Sequence, residues 1–137
     1  MSTADGTSII REFVKHSPFA RQLGLEITET GDGEATLRMP YKAEIATFEP
    51  VIHGGALAAA ADTAAMVASF AGAEIEGTPV GATVGFNISY LRAARGSDIT
   101  VRARVIKRGT LNFVDVDLSD ADDKLVAKAH VVYKLGR

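Results

Sequence analysis

One segment restricts the fold of this chain more than any other: the run from Ala56 to Ala71, in which almost every residue is small and apolar. Alanine is the best helix former, and two glycines stand directly before the run. The run therefore predicts a helix from about Gly54 to Phe70. Because this helix is apolar nearly all round, the rest of the chain has to cover most of its surface. It is shorter than the ~20 residues that cross a bilayer, so we expect it inside a soluble protein.

Patterns on both sides of this helix predict the elements that cover it. Residues 7–16 carry apolar side chains at helical spacing, which predicts a short N-terminal helix ahead of Pro18. Two strand-like segments flank the turn sequence GDG and predict a hairpin. After the long helix, apolar and polar residues alternate in four segments, and their short connections RAARGS, RG and DADD favour antiparallel neighbours. The six strand segments are 25–30, 34–41, 82–91, 98–107, 110–119 and 124–135.

These elements combine into one arrangement. Alternation leaves each strand with one dry face, and the economical solution is a curved antiparallel sheet wrapped around the long central helix. A chain of 137 residues favours a single domain, and we assign residues 1–137 to it. The expected fold class is α+β.

Composition excludes several kinds of partner and site. The net charge is −2 without a basic block, which disfavours nucleic acid as a partner. The chain has no cysteine and three histidines far apart, so we expect neither a thiolate nor a zinc site. The first 24 residues lack a long apolar run behind a basic start. We therefore expect no signal peptide and a cytoplasmic location.

Asp62 is the one charged residue in the apolar run. A buried carboxylate is costly unless it is hydrogen-bonded, and otherwise its pKa rises. Two interpretations stay open at this point. Asp62 lies on the one open stripe of the helix, where charged residues are usually found, or it is a functional carboxylate, since perturbed carboxylates cluster at functional sites.

The residues His53, Gly54 and Gly55 stand where the long helix begins. The first turn of a helix has N–H groups without partners, and its dipole favours negative charge. Glycine lets a ligand approach the backbone closely, so a thioester carbonyl could bind there as in an oxyanion hole. The alternative is that the glycines only turn the chain into the helix.

The spacing of Gly54 and Asp62 adds a prediction about assembly. Eight residues separate them, which is ~12 Å along a helix and ~80° around its axis. A carboxylate at that distance does not easily reach a carbonyl held at the N-terminus of its own helix. Two antiparallel helices related by a two-fold axis would bring Gly54 of one chain towards Asp62 of the other, twice. The spacing therefore predicts a homodimer with two shared sites.

The segment VIHGGALAAAADTAAMVAS and the later NISYLRAA before a GS turn resemble the hotdog-fold acyl-CoA thioesterases of the phenylacetate-pathway (PaaI-like) group. The resemblance extends over about residues 18–135. It implies the hotdog fold, homodimers that often pair into tetramers, and hydrolysis of aryl-acetyl or medium-chain acyl-CoA thioesters to free acid and CoA. It implies no metal and no cofactor other than the CoA of the substrate.

The same resemblance implies roles for individual residues. Gly54 matches the position whose N–H polarises the thioester carbonyl, and Asp62 matches the catalytic carboxylate, as general base or as nucleophile. Thr83 matches a hydroxyl that helps to hold the attacking water, and alternation places Asn87 and Ser89 on its face of the strand. His53 matches a histidine that is structural near the start of the helix.

Thr47 departs from the pattern of the family. Many relatives carry Asn or Gln at this position, and the amide assists at the carbonyl or positions the carboxylate. A threonine hydroxyl donates a single hydrogen bond and has a shorter reach. Two alternatives therefore stay open: a hotdog module that binds acyl-CoA without cleaving it, and an enoyl-CoA hydratase-like enzyme that pairs His53 with Asp62.

Substrate-binding residues are expected beside these groups. His53 and Gly55 adjoin the carbonyl position, and Met66 and Phe70 share a helix stripe with Asp62, with core packing as their alternative. The phosphates of CoA require Lys or Arg near the mouth of the site. The candidates are Arg92, Arg95, Lys107 and Arg108, each with a solvated surface charge as the alternative, and the adjacent Lys107 and Arg108 are preferred to the other two.

Overall fold

The computed structural model describes residues 3–136 of the chain. The elements in chain order are β1 (Thr3–Asp5), α1 (Gly6–His16), α2 (Pro18–Leu23), β2 (Glu26–Gly31), β3 (Glu34–Met39), a 3₁₀ turn (Ala43–Ile45), β4 (Ala46–Phe48), β5 (Val51–Ile52), α3 (Gly54–Phe70), β6 (Glu74–Glu76), β7 (Gly81–Tyr90), β8 (Ile99–Lys107), β9 (Leu111–Ser119) and β10 (Leu125–Leu135).

Six strands form one antiparallel sheet in the order β2-β3-β8-β9-β10-β7. Helix α3 lies on one face of this sheet and contacts β3, β7, β8, β9 and β10, while α1 packs against α3. Two short pairs, β1 with β6 and β4 with β5, lie outside the main sheet. The predicted α+β fold, a long central helix wrapped by an antiparallel sheet with a short N-terminal helix, is confirmed.

The core lies between the inner face of the sheet and α3. Alternate residues of β8, β9 and β10 are buried there, as the period-two pattern predicts. The alanines of α3 that face the sheet are fully buried, and their short side chains let the strands approach the helix closely. The buried inner-face residues include Ile99, Val101, Val114, Val116, Leu118, Ala127, Ala129 and Val131.

The sequence prediction for the strand that pairs with β7 is wrong. The sequence predicts that RAARGS joins adjacent strands, but β7 pairs with β10, whereas β8 lies between β3 and β9. The connection is held beside β5 instead, because the Ile52 N–H donates to the Ala94 carbonyl (2.9 Å) and the Gly96 N–H donates to the Pro50 carbonyl (2.8 Å). It thus crosses the end of the sheet near the start of α3, and β7 becomes an edge strand.

Several short elements were not predicted, among them the 3₁₀ turn, β4 and β5 in residues 42–52, which were expected to form a loop. Helix α2 has the expected signals in retrospect, since the Ser17 hydroxyl caps its first turn, proline follows, and Gly24 ends it in the left-handed conformation. The β1–β6 pair is too short to produce a periodic pattern. Among residues 3–136, no helix has the length and apolar character that a membrane span requires.

Candidate active site

Asp62 lies on the one stripe of α3 that the sheet leaves open. Buried residues occupy the rest of the helix circumference, while this stripe keeps partial exposure through positions three and four apart. The stripe consists of Gly54, Gly55, Ala58, Ala59, Asp62, Thr63 and Met66. The charge among the alanines therefore avoids the dry interior and borders a surface.

The Asp62 carboxylate has one hydrogen-bond partner within the described chain. The Thr83 hydroxyl on β7 donates to Asp62 Oδ1 at 2.6 Å. This is a short, charge-assisted hydrogen bond. Asp62 Oδ2 has no partner among residues 3–136, so the second oxygen can accept a proton from a bound molecule.

A β-bulge in β7 brings Thr83 to Asp62. In the ladder with β10, Gly85 pairs with Val132 and Thr83 pairs with Tyr133, so Val84 is left without a partner. The extra residue reverses the alternation, and Thr83 faces the helix together with even-numbered residues such as Tyr90, whose hydroxyl reaches α3.

The bulge also corrects the prediction that Asn87 and Ser89 share the face of Thr83. They pair with His130 and Lys128, on the outer side of the sheet. Simple alternation placed them on the wrong face. The signal that could have corrected it is Gly85, directly after Val84, because a glycine inside a strand pattern often marks a bulge.

The N-terminus of α3 has a single N–H group left without a partner. The His53 ring accepts a hydrogen bond at Nδ1 from the Gly55 N–H (2.7 Å). The His53 carbonyl accepts from Ala56 (2.9 Å) and Leu57 (3.3 Å). For the Gly54 N–H, residues 3–136 offer no acceptor. The backbone donor that the sequence singles out is therefore available, whereas the Gly55 N–H is occupied by the cap.

The positions of His53 and Gly55 follow from this cap. A Cβ on Gly55 would lie 2.8 Å from His53 Nδ1, so the ring requires glycine at this position. Within the described chain no contact joins the His53 ring to Asp62. The arrangement favours the capping role of His53 and gives no support to a His53–Asp62 catalytic pair.

Tyr90 is a residue that sequence reasoning did not assign to the site. Its hydroxyl donates to the Gly54 carbonyl at 2.7 Å, and a Cβ on Gly54 would lie 3.2 Å from its ring carbon Cζ. The Tyr90 hydroxyl thus holds the first residue of α3 in place, and the residue at position 54 has to be small to accommodate the Tyr90 ring. The strand pattern alone gives Tyr90 no role, since its ring is one of the alternating side chains of that segment.

Thr47 is exposed and lies apart from Asp62 in the described chain. In the β4–β5 ladder, Ala46 pairs with Ile52 and Phe48 pairs with Val51, so Thr47 is the unpaired bulge residue between them. No contact joins Thr47 to Asp62 or Thr83 within this chain. The structure therefore does not bring together all four residues that the sequence assigned to catalysis.

Met66 and Phe70 have different environments. Met66 is half-buried on the open stripe, one turn beyond Asp62. Phe70 is buried, with 5% of its surface exposed, and its ring packs against Tyr133 with centroids 6.2 Å apart. Met66 thus borders the candidate site, whereas Phe70 is part of the core at the far end of the helix.

The four candidate cations divide between the two ends of α3. Arg108 donates to the carbonyls of Ser69 (3.0 Å) and Ala71 (2.6 Å) and pairs with Asp32 (3.1 Å). Its guanidinium therefore holds the C-terminus of the helix. Lys107, its neighbour, is exposed.

Arg92 and Arg95 are exposed in the connection that passes the start of α3. A β-bridge joins Arg95 to Val51, two residues before the histidine cap. These two cations, rather than the preferred Lys107 and Arg108, share the helix end that carries the free Gly54 N–H.

The arrangement can activate a nucleophile but does not enclose a substrate by itself. A carboxylate with a free oxygen lies near a hydroxyl, and a free backbone N–H lies at a helix N-terminus about 12 Å away by helix geometry. Two clefts of the described chain, of about 370 and 800 Å³, are both lined by residues other than Asp62. Within residues 3–136, no group of three acidic or histidine side chains is placed to hold a metal ion.

The comparisons with known proteins agree with this chemistry. The family described as Thioesterase superfamily matches residues 49–127, which include α3, β7, β8 and β9. The chain is similar to the medium/long-chain acyl-CoA thioesterase YigI of Salmonella typhimurium, at 25% identity over 138 residues, covering 90% of this chain and 89% of that protein.

Two solved structures have the same fold as this chain. The PaaI protein of E. coli, from the phenylacetic acid degradation operon, superposes with a TM-score of 0.82 at 21% identity, covering 97% of this chain and 96% of PaaI. A hypothetical thioesterase protein of Streptococcus pneumoniae, solved with coenzyme A, superposes with a TM-score of 0.72 at 21% identity, covering 82% and 85% of the two chains.

Proposed function

The chain belongs to the thioesterase superfamily, and we propose that it hydrolyses acyl-CoA thioesters to a free acid and CoA at a site centred on Asp62. Its membership confirms the predicted hotdog fold, the PaaI-like resemblance and the class of enzyme, a thioester hydrolase. The substrate and the roles of the residues are the subject of the proposal.

The observation that carries the proposal is the hydrogen bond from Thr83 to Asp62 Oδ1 on the open stripe. This contact fixes one carboxylate oxygen and leaves Oδ2 free to act as a general base. Oδ2 accepts a proton from a water molecule while the water oxygen bonds to the thioester carbon. The C–S bond then breaks, and the departing thiolate of CoA takes up the proton, so that the products are the acid and the thiol.

The Gly54 N–H is the donor best suited to stabilise the carbonyl oxygen as it becomes negative. It is the one unpartnered N–H in the first turn of α3 among the described residues, and the helix dipole adds to its effect. Because it lies about 12 Å from Asp62 of the same chain, a single chain does not provide both groups at one carbonyl.

A homodimer would complete the site. Strand β7 is the last strand of the sheet and pairs with β10 on one side only, within the described residues. It carries exposed apolar residues: Val84, Phe86 and Tyr90 are 56%, 40% and 51% exposed. An exposed apolar edge of this kind is suited to pairing with another chain. Two copies related by a two-fold axis along this edge would place Gly54 of each protomer near Asp62 of its partner. Larger assemblies of such dimers stay a prediction.

The acyl group we propose is aryl-acetyl or medium-chain. Met66 borders the site next to Asp62, and an adaptable thioether suits the wall of an acyl pocket. The similarity to an acyl-CoA thioesterase supports CoA as the thiol. We place its phosphates near Arg92 and Arg95, since these cations share the helix end with Gly54.

The test of the activity is release of CoA from phenylacetyl-CoA, benzoyl-CoA and hexanoyl-CoA. We expect the wild type to release thiol and Asp62→Asn to lose about 10³-fold or more in kcat, because the general base is gone. Thr83→Val removes the hydroxyl and is expected to lower kcat by a smaller factor. Thr63→Val is the control: Thr63 is next to Asp62, and within the described residues its hydroxyl donates to the Ala59 carbonyl alone. Unchanged turnover in Asp62→Asn would refute the catalytic role.

The shared site has its own test. Asp62→Asn and Gly54→Val protomers are each expected to be inactive alone. Mixed after unfolding and refolding together, they should regain about a quarter of wild-type activity, because half of the dimers are mixed and each has one intact site. No recovery in mixtures that do form mixed dimers would place both groups of a site in one chain.

A further inference from the structure

The proposed function leaves open what ends the acyl pocket, and a second large cleft bears on this question. The cleft has a volume of about 800 Å³ and lies just beyond the C-terminus of α3. That volume lies within the range of ~300–1,000 Å³ that small-molecule sites occupy. The residues around it include Ile75, Val80, Arg108, Asn112 and Leu135.

The cleft and Asp62 lie along the same inner face of the sheet. Along β10, Leu135 lines the cleft, while Tyr133, two residues earlier, pairs with Thr83, the residue bonded to Asp62. Along α3, Asp62 is followed by Met66 and Phe70, and the cleft begins after the helix ends. Both paths from Asp62 to the cleft therefore pass the level of Phe70 and Tyr133.

Phe70 and Tyr133 form a wall at this level. Their ring centroids are 6.2 Å apart with planes tilted by 57°, and each residue is only 5% exposed. The ring of Tyr133 reaches the neighbouring strand, where a Cβ on Gly81 would lie 2.7 Å from its Cζ and would overlap its hydroxyl. The tyrosine thus occupies the space that a side chain at position 81 would take.

The Tyr133 hydroxyl has no hydrogen-bond partner among residues 3–136, although the Tyr133 backbone carbonyl accepts a weak hydrogen bond from Asn112 (3.5 Å). Its oxygen is not one of the fully buried, unpaired side-chain atoms, unlike that of Tyr41, so the tip of the side chain is not enclosed by the core. The charge of Asp62 is close enough to raise the pKa of this phenol. The ring therefore packs in the core while its hydroxyl lies near the candidate site, where it can meet a ligand.

From these contacts we infer that Tyr133, packed against Phe70, is the specificity-determining residue that ends the acyl pocket and separates it from the cleft at the end of α3. The inference rests on the proposed thioesterase function. Compact acyl groups, such as an aromatic ring or a short chain, stop at the wall next to Met66. Longer acyl chains would have to extend past this wall into the cleft, and the Tyr133 ring blocks that path.

The test compares butanoyl-, hexanoyl-, octanoyl-, dodecanoyl- and hexadecanoyl-CoA. In Tyr133→Val, we expect kcat/KM for the longest substrates relative to hexanoyl-CoA to rise at least about tenfold over the wild type, because each methylene that gains room in a pocket contributes to discrimination. Tyr133→Phe keeps the ring and should retain the wild-type chain-length limit. Val131→Ala, a buried change on the same face of the same strand, is the control.

A second variant covers the case in which Tyr133→Val does not fold. Gly81→Ala adds a methyl group where the Tyr133 hydroxyl lies and is expected to displace the ring and alter the chain-length profile. Gly85→Ala, on the same strand, places its Cβ at an ordinary 3.5 Å from Val132 and should leave the profile unchanged. An unchanged profile in both Tyr133→Val and Gly81→Ala, or an equal change in Val131→Ala, would overturn the inference.

Binding keeps this inference separate from catalysis. Dissociation constants of the same acyl-CoA series are measured by calorimetry in an Asp62→Asn background, with and without Tyr133→Val. If the wild type releases no CoA but the limit on binding moves to longer chains with Tyr133→Val, the proposed hydrolysis fails and the wall stands. If CoA is released and neither limit moves, the wall fails and the hydrolysis stands. If no acyl-CoA binds, both fail.

Discussion

The two ends of α3 differ in how their backbone groups are satisfied. At the C-terminal end four carbonyls accept hydrogen bonds, two of them from the guanidinium of Arg108; they belong to Val67, Ser69, Phe70 and Ala71. At the N-terminal end, His53 satisfies three N–H groups, and the Gly54 N–H has no partner among the described residues.

The two ends of α3 therefore contribute to different properties of the protein, one to its stability and the other to its proposed catalysis. Unpaired groups at helix ends are normally capped, because leaving them unpaired costs stability. The C-terminal end, called the closed end below, follows that rule and is joined to the β2–β3 turn through Arg108 and Asp32. The N-terminal end, called the open end, keeps one N–H donor available, next to glycines that admit a ligand. Substitutions that move or remove the free N–H should therefore change turnover, and substitutions that remove the partners of the C-terminal carbonyls should change stability.

Gly54→Ala tests the open end and has the largest expected effect among the substitutions at the two ends of α3. The added Cβ would lie 3.2 Å from the Tyr90 ring, so the ring or the first turn has to move, and the N–H moves with it. We expect kcat to fall about 10²-fold, the typical result of a misplacement of about 1 Å, with little change in the free energy of unfolding. The assay is steady-state thiol release beside urea denaturation, with Gly85→Ala as the matched glycine control. Equal losses in both variants would contradict the special role of Gly54.

Arg108→Met tests the closed end. The change keeps the apolar stem and leaves the Ser69 carbonyl without its donor, so the free energy of unfolding should fall by about 2 kcal/mol. KM and kcat of the folded variant should stay near wild type. Lys107→Met, at the exposed neighbouring position, should change stability by no more than about 0.5 kcal/mol. A raised KM for acyl-CoA in Arg108→Met would restore the interpretation that this arginine binds CoA.

Tyr90→Phe tests how the open end is held. The variant keeps the ring under Gly54 and removes only the hydrogen bond to its carbonyl, a contribution of about 1 kcal/mol. If that bond holds the N–H in place, kcat should fall up to about tenfold without a matching rise in KM. Tyr41→Phe is the control, because the buried Tyr41 hydroxyl has no hydrogen-bond partner within residues 3–136. A loss in Tyr90→Phe no larger than in Tyr41→Phe would make Tyr90 a packing residue only.

The sequence predicted the periodic elements well and the irregular ones poorly. The limits of α3 agree with the prediction because alanine content, the glycines before it and the GAEIEG segment after it all mark the same boundaries. The strands of the main sheet were located because one face of each is dry. The neighbour of β7 could not be read from connection length, since a short link can also cross the end of a sheet when β5 holds it there.

The site shows the same division. Asp62 and Gly54 were identified because each is chemically out of place, a charge among alanines and a glycine pair at a helix start. The partners of these residues were harder to predict. Tyr90, Arg108 and Tyr133 look like ordinary strand and turn residues, and only the bulge at Val84 and the packing at the helix ends give them their contacts.

The last prediction concerns a coupling between the charge on the open stripe and the closed end. Burial first, and the negative charge of Asp62 second, raise the pKa of the Tyr133 phenol to about 12. Because the folded-state pKa lies above the unfolded one, this group stabilises the fold fully below its ordinary pKa. That contribution is lost as the pH rises from about 10 through about 12. Between about pH 9 and about pH 11, wild type should lose on the order of 1 kcal/mol more stability than Tyr133→Phe.

A spectroscopic titration separates the two causes. The absorbance of the Tyr133 phenolate is the part of the tyrosinate signal that Tyr133→Phe abolishes. In Asp62→Asn the second cause is absent, so this absorbance should develop at lower pH than in the wild type. It should still develop above the ordinary pKa of tyrosine, because burial persists. An identical titration in Asp62→Asn would mean that the carboxylate and the wall are electrically independent, and that the two ends of α3 are more separate than the contacts through Thr83 and Tyr133 imply.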